Sequence, residues 1–324
     1  VPTERAIVDA YTRRALLLLR VGGGQRARVT RELRALARDL RAVLAGIELA
    51  ALGRRELSAL LREVEALVQA RYAAIAEQQA VDAATIMATD AAWAVRASGL
   101  RRGGSSTLET AAAALLVQGL PLRRQWERQG TNLTDRLVAA IRTAHTTQSD
   151  PLVPIIGQGR VGRERGGVME TARQQAGTLA DTSAHAAAYE GRRATWKAGG
   201  VRYLKWHAIL DTRTTIRCAT RAGLVYDVDF QPVGHDVPMG EPPPAHWNCR
   251  SILVGMSPDY EPPGDGQDPY SESLDDWLRR HSEQAQDELL GVRRAAAWRA
   301  GRITTRDLLG RNGQPLTLEE MRNR

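Results

Sequence analysis

Apolar residues recur at three- and four-residue steps through the first 150 residues. Leu33, Leu36, Leu40, Val43, Leu44 and Ile47 make one stripe with arginines between them, and Leu57, Leu60, Leu61, Val64, Leu67 and Val68 make the next. That period predicts amphipathic helices, each with one face to bury. Gly22-Gly23-Gly24 and Gly53 are expected to separate the stretches, because glycine weakens a helix interior and permits turns. Gly103-Gly104-Ser105-Ser106 predicts a further break, with Ser106 capping a helix that begins near Leu108; Thr134 is expected to cap the helix carrying Leu137, Val138 and Ile141. Long helices with no compact core of their own predict apolar stripes over 1–150 that stay exposed for a partner or a second copy.

Pro151 and Pro154 interrupt this pattern, and a run rich in glycine and arginine follows from Gly157 to Gly167. It lacks the G-x-x-x-x-G-K-[ST] order of a phosphate loop, and no strand precedes it. Residues 151–167 therefore read as a linker, whose Arg160, Arg163 and Arg165 are candidates for lying near DNA. Helix resumes from about Val168 to Lys197 and is expected to stop at Gly199-Gly200. The period then shortens: 201–209, 224–230 and 251–254 carry β-favouring residues, and the Pro/Gly-rich 231–244 reads as loop. Residues 257–270 are acidic and rich in proline, and read as a second linker. The tail 271–324 is predicted as short helices, with Ser273 and Ser282 as caps, Gly291 as a stop, a turn at Asn312-Gly313, and capping-box spacing from Thr317 to Glu320. The fold class that follows is mainly α with a small α+β domain.

Composition narrows the function classes. With 43% hydrophobic and 25% charged residues over 324 positions, the chain is neither collagen-like nor wholly disordered, and two cysteines cannot form a disulfide framework. No window reaches the roughly 18 uncharged apolar residues that a membrane span needs, and no secretory signal is evident, so a cytosolic setting is expected. The net charge of +8 is unevenly spread: residues 1–200 carry 29 basic and 19 acidic side chains, and the rest 16 and 18. A basic front can sit against a polyanion through counterion release, although charge runs are commonly solvent faces.

Candidate chemistry gathers between 207 and 250, where His207, Asp211, Arg213, Cys218, His235, His246, Cys249 and Arg250 fall. A zinc site would draw four ligands from His207, Cys218, His246 and Cys249, although His246-x-x-Cys249 has no second close pair beside it. A nucleophilic cysteine would need a histidine base and an orienting group. The plainer reading is two buried thiols in a small structural domain, with Asp211 and Arg213 holding a turn. Asp211 and Arg250, each beside a turn at opposite ends of the segment, are suited to a charge-assisted pair that fastens the closing strand.

These residues also carry a resemblance. The run from Trp206 through Asp211-Thr-Arg213 to Cys218, a turn at Gly223 with Tyr226, and His246-Trp-Asn248-Cys249-Arg250-Ser251 resemble the phage head-morphogenesis (Mu F-like) minor head protein family. The helix from Thr178 to Lys197 is similar to that family's lead-in. The tail, from Trp277 through Gln286, Leu290-Gly291 and Arg293 to Leu316–Glu319, is similar to a stretch common after the domain. Two positions depart from the pattern: Thr215 and Ser251 stand where many members have cysteines. The resemblance implies an organisation of a helical portal- or capsid-docking region (1–150), the Gly/Arg-rich linker (151–167), a Mu F-like module (168–256), the acidic linker (257–270) and a helical tail (271–324). Its structural motif would be Trp206, Asp211, Arg213, Cys218, Gly223, Asn248, Cys249 and Arg250. The implied role is a minor virion component inside the capsid near the portal, present in the host cytoplasm during assembly. Its implied partners are the portal protein, the major capsid or scaffolding protein and, non-specifically, packaged double-stranded DNA, with no membrane. No catalytic residue and no cofactor is expected; Cys218, His246 and Cys249 are the candidates should zinc be held. The alternatives are a DNA-binding protein ejected with the genome, or an enzyme acting from Asp211, Cys218 and His246.

Overall fold

The computed structural model describes residues 2–100, 114–159 and 165–322. The expected break at 103–106, the Ser106 cap and the candidates Arg160 and Arg163 lie outside these. The described chain is mainly helical, with two small antiparallel sheets. Its helices are α1 (Glu4–Leu44), α2 (Arg54–Ala97), α3 (Leu122–Thr147), α4 (Leu152–Ile156), α5 (Gly167–Ala198), α6 (Ile216–Ala219), α7 (Leu274–Arg280), α8 (Glu283–Leu290), α9 (Val292–Arg299) and α10 (Leu318–Arg322). A two-residue hairpin, β1 (Leu116–Val117) with β2 (Leu120–Pro121), precedes α3. The larger sheet has the order β4-β3-β5, from β3 (Tyr203–His207), β4 (Val225–Asp227) and β5 (Ile252–Gly255). No helix among the described residues is long and apolar enough to cross a membrane.

Two compact units divide the chain. One takes Arg20–Thr85 and Thr110–Ala184. Here the predicted stripes are buried rather than exposed: Leu33, Leu36, Leu40, Leu44, Leu60, Val64 and Val68 are closed off within a unit that also buries Trp126, Leu133, Leu137 and Ile141. The rings of Tyr72 and Trp126 meet at 6.4 Å, and Gly130 brings the α3 backbone against Tyr72, where a Cβ would lie 3.2 Å from the ring stem. The long helices thus cover one another's apolar faces, which corrects the expectation of exposed stripes. Two predicted breaks are corrected as well. Thr134 lies buried inside α3 instead of capping a helix. The triple glycine lies inside α1, because helix propensity is a weak prior that tertiary packing overrides. At Gly22 the packing is explicit: a Cβ there would stand 2.0 Å from Asp181 Oδ1 on α5, so the missing side chain lets the two helices approach. Gly53 does end a segment, immediately before α2.

The other unit takes Val1–Leu19, Ile86–Glu109 and His185–Arg324, and holds the three-stranded sheet. Its central strand β3 pairs Leu204 with Tyr226 on one side and Trp206 with Leu253 on the other. Side chains alternate between two cores, as a pleated strand requires. Leu204, Trp206, Tyr226 and Leu253 face one that includes Trp196, Cys218 and Cys249. Val225, Ile252 and Val254 face another, with Ile7, Tyr11, Ala15 and Leu18 of α1. A third cluster, around Leu274, Trp277, Leu278 and Leu290, holds the tail helices. The tail caps form as the sequence predicts: Ser273 accepts from the backbone N–H of Asp276 (3.1 Å), Ser282 from that of Ala285 (3.4 Å), and Thr317 and Glu320 close a reciprocal box.

Candidate functional site

The site is built on the end of β3 and the two turns that flank it. Trp206 is fully buried in the sheet. Gly223 stands at φ +79°, where its N–H donates to the Trp206 carbonyl (2.8 Å) while Trp206 N–H donates to Leu224 (2.9 Å). A side chain at 223 would be strained and would strike Gln267, whose Nε2 lies 2.1 Å from the Cβ position. Arg221 lies over the Trp206 ring at 5.3 Å and donates to the carbonyls of Pro238 (3.0 Å) and Gly313 (2.9 Å), so the indole, the loop and the tail share one guanidinium.

After β3 the chain turns at Asp211. Its Oδ1 accepts the Arg213 N–H (2.9 Å), and Thr214 N–H donates back to the Asp211 carbonyl (3.0 Å). Arg250 completes the arrangement with a fork: Nη1 donates to Asp211 Oδ2 (2.7 Å) and Nη2 to Oδ1 (2.5 Å), and Nη2 also reaches Thr214 Oγ1 (3.2 Å). The Arg250 guanidinium holds the Asp211 carboxyl well below the usual carboxylate range. Arg213 is mostly exposed, with Nη2 3.6 Å from Asp211 Oδ2, and is the looser partner.

The two cysteines meet beside this clamp. Cys218 sits on α6, and Cys249 follows a tight turn in which Asn248 adopts φ +58° and Cys249 N–H donates to the His246 carbonyl (3.1 Å). Both thiols are buried and unjoined, with Sγ to Sγ at 3.7 Å. His246 Nε2 lies 3.2 Å from Cys218 Sγ and 3.0 Å from Thr215 Oγ1, and Nδ1 is 2.9 Å from the Trp247 carbonyl, to which it donates. Hydrogen bonding with Cys249 and then with His246 pushes the Cys218 thiol down, and the same hydrogen bonds push Cys249 and His246 up. A shallow recess lined by Arg213, Thr215, His246, Asn248, Arg250 and Ser251 opens onto Cys218.

Of the residues singled out in the sequence, Cys218, His246 and Cys249 come together, and Asp211 pairs with Arg250. His207 is spent elsewhere: its Nε2 is 3.3 Å from Thr12 Oγ1 on α1, and burial pushes it down to about 4. His235 bonds the Val225 carbonyl (2.7 Å). His246 Nδ1 is taken by the Trp247 carbonyl and Asp211 by Arg250, so Asp211 does not orient His246. Arg165 is exposed, its backbone paired with Gln158.

Two buried ion networks were not foreseen. Lys205, fully buried at the centre of β3, pairs with the equally buried Asp268. Asp90, fully buried on α2, accepts from Arg14 (2.6 Å) and Arg192 (2.8 Å). A carboxylate three residues after Met87 on a buried helix face was a legible hint of the second. Nothing in the acidic 257–270 stretch distinguished Asp268 from its neighbours.

Residues 130–254 match the family model of phage Mu protein F like protein. This segment is a Mu F-like region. It begins within α3 and closes on β5, so it holds every residue of the clamp and of the cysteine cluster. It also starts well before the lead-in helix at Thr178 that resembles the family, while the Trp277–Glu319 stretch lies beyond it. No curated protein and no solved structure matches the chain. A Mu F-like region points to phage head morphogenesis and to association with the virion.

Proposed function

We propose that this chain is a minor head protein of a tailed phage, acting in head assembly at the inner side of the capsid near the portal. Its partners in this reading are the portal protein, the major capsid or scaffolding protein, and packaged DNA held through non-specific charge. The observation that carries it is the Mu F-like region, whose motif residues hold its fold together: Trp206 fills the core, Gly223 permits the turn, and Asp211 is tied to Arg250. The uneven charge supports a DNA-facing front, with 29 basic against 19 acidic residues over 1–200.

The test is co-purification of the tagged full-length protein from phage-producing cells, with purified heads analysed in parallel. The expected result is recovery of the portal protein together with this chain in DNA-free procapsids. Heads that form, package and infect normally when the protein is deleted would overturn the assembly role. Particles carrying it only on their outer surface would overturn the interior placement.

A further inference from the structure

We propose that Cys218, Cys249 and His246 hold a zinc ion that clamps α6 to the 246–249 turn. The three donor atoms lie within 4.8 Å of one another, and among the described residues they form the one such group of histidine, cysteine and acidic side chains. The thiols are separated by 3.7 Å and remain unjoined. Two sulfurs at roughly 2.3 Å from a tetrahedral zinc lie roughly 3.8 Å apart, so the pair already spans one edge of a coordination tetrahedron. Cys218 Sγ to His246 Nε2, at 3.2 Å, is close to the corresponding sulfur–nitrogen edge.

The surroundings suit a metal ligand set. His246 Nδ1–H is fixed on the Trp247 carbonyl, which sets the ring orientation and leaves Nε2 against Cys218 Sγ. Asn248, in the left-handed region, folds the backbone so that His246 and Cys249 point to one place. Binding would displace the two thiol protons, and Zn2+ with two thiolates and one neutral imidazole has no net charge, which suits a site where both cysteines are buried. Soft sulfur donors select zinc over magnesium or calcium. A recess lined by Thr215, Cys218, His246 and Ser251 adjoins these donors, so solvent could supply a fourth ligand. His207, which the sequence offered as a fourth ligand, bonds Thr12 instead. The inference is independent of the head-assembly reading.

The test uses the full chain, produced in zinc-supplemented medium and purified under a non-thiol reductant. Metal analysis should find one zinc per chain. Cobalt exchanged into the site should show the thiolate charge-transfer band and the intense visible bands of a four-coordinate ion. Cys218→Ser, Cys249→Ser and His246→Ala should each weaken zinc binding at least about tenfold, and His207→Gln should leave it unchanged. Should those variants fail to fold, the cobalt spectrum of the unsubstituted protein still decides. Folded, reduced protein that takes up neither metal overturns the proposal, as does a purified protein whose cysteines are joined in a disulfide. Loss of zinc in His207→Gln with retention in His246→Ala would overturn the ligand set.

Discussion

Arg250 delivers two hydrogen bonds to Asp211 from one planar group, a geometry that lysine cannot reproduce. Arg250→Lys should therefore destabilise the protein nearly as much as Arg250→Ala. A double-mutant cycle with Asp211→Ala should give a coupling of about 1 kcal/mol or more, measured by denaturant unfolding; a coupling near zero would show that the fork contributes nothing. This pair was legible before the structure, because both residues flank turns within one motif. Lys205 and Asp268 were not: they are 63 positions apart and share no motif, and Asp268 sits in a stretch that reads as solvated. Both side chains are fully buried, so removing one charge strands the other. Lys205→Met should cost about 3–5 kcal/mol, and adding Asp268→Asn should restore part of that loss, because a buried pair is costly chiefly when broken. A double variant no more stable than the single one would refute this.

The helices were readable from their period, but not every interruption was, and α1 shows why. Glycine in a helix interior costs about 0.5–1 kcal/mol relative to alanine, so three in a row suggest a break; the packing of a long helix outweighs that local cost. The glycines then differ by what stands opposite. Gly24 is exposed with nothing within 4 Å of a Cβ, so Gly24→Ala should stabilise by about 0.5–1 kcal/mol. Gly22→Ala should lose that gain, because Asp181 must move and its hydrogen bond from Arg26 (3.1 Å) is disturbed. Equal melting-temperature shifts for the two variants would sink the argument. The attachment of α1 to β3 has a pH dependence of its own. His207, beside Thr12, is held neutral by burial and by Lys205, with Asp268 opposing, and titrates at about 4. The unfolded chain takes up that proton near pH 6.5, so this contribution is whole above pH 6.5 and is lost as pH falls towards 4, by about 3 kcal/mol in all. Unfolding free energies between pH 7 and 4.5 should show the slope, and His207→Gln should flatten it.

The fold class was accessible because hydrophobic period is a local signal, whereas the division into units was not, since each unit joins segments far apart in the chain. The cysteine cluster was partly legible: Cys218, His246 and Cys249 were candidates from the sequence, and the fold brings these three together while His207 bonds Thr12 instead. Charge is the remaining whole-chain property, and it separates a solvated basic surface from one that binds DNA. Phosphate contacts release counterions, so the logarithm of affinity falls with the logarithm of salt at a slope of about −0.9 per phosphate neutralised. If the basic front faces packaged DNA, the full chain should bind duplexes of unrelated sequence alike, and binding should weaken steeply between about 50 and 200 mM salt. Arg160, Arg163 and Arg165 make the sharper case, because they lie close together in a short glycine-rich run. Replacing all three with alanine should reduce the slope by up to about three, with no preference for any sequence gained or lost. Fluorescence anisotropy titrations at several salt concentrations measure this directly. An unchanged slope in the triple variant would remove the run from the DNA-facing surface, and a full chain indifferent to DNA at low salt would return the whole basic front to the role of a solvated face.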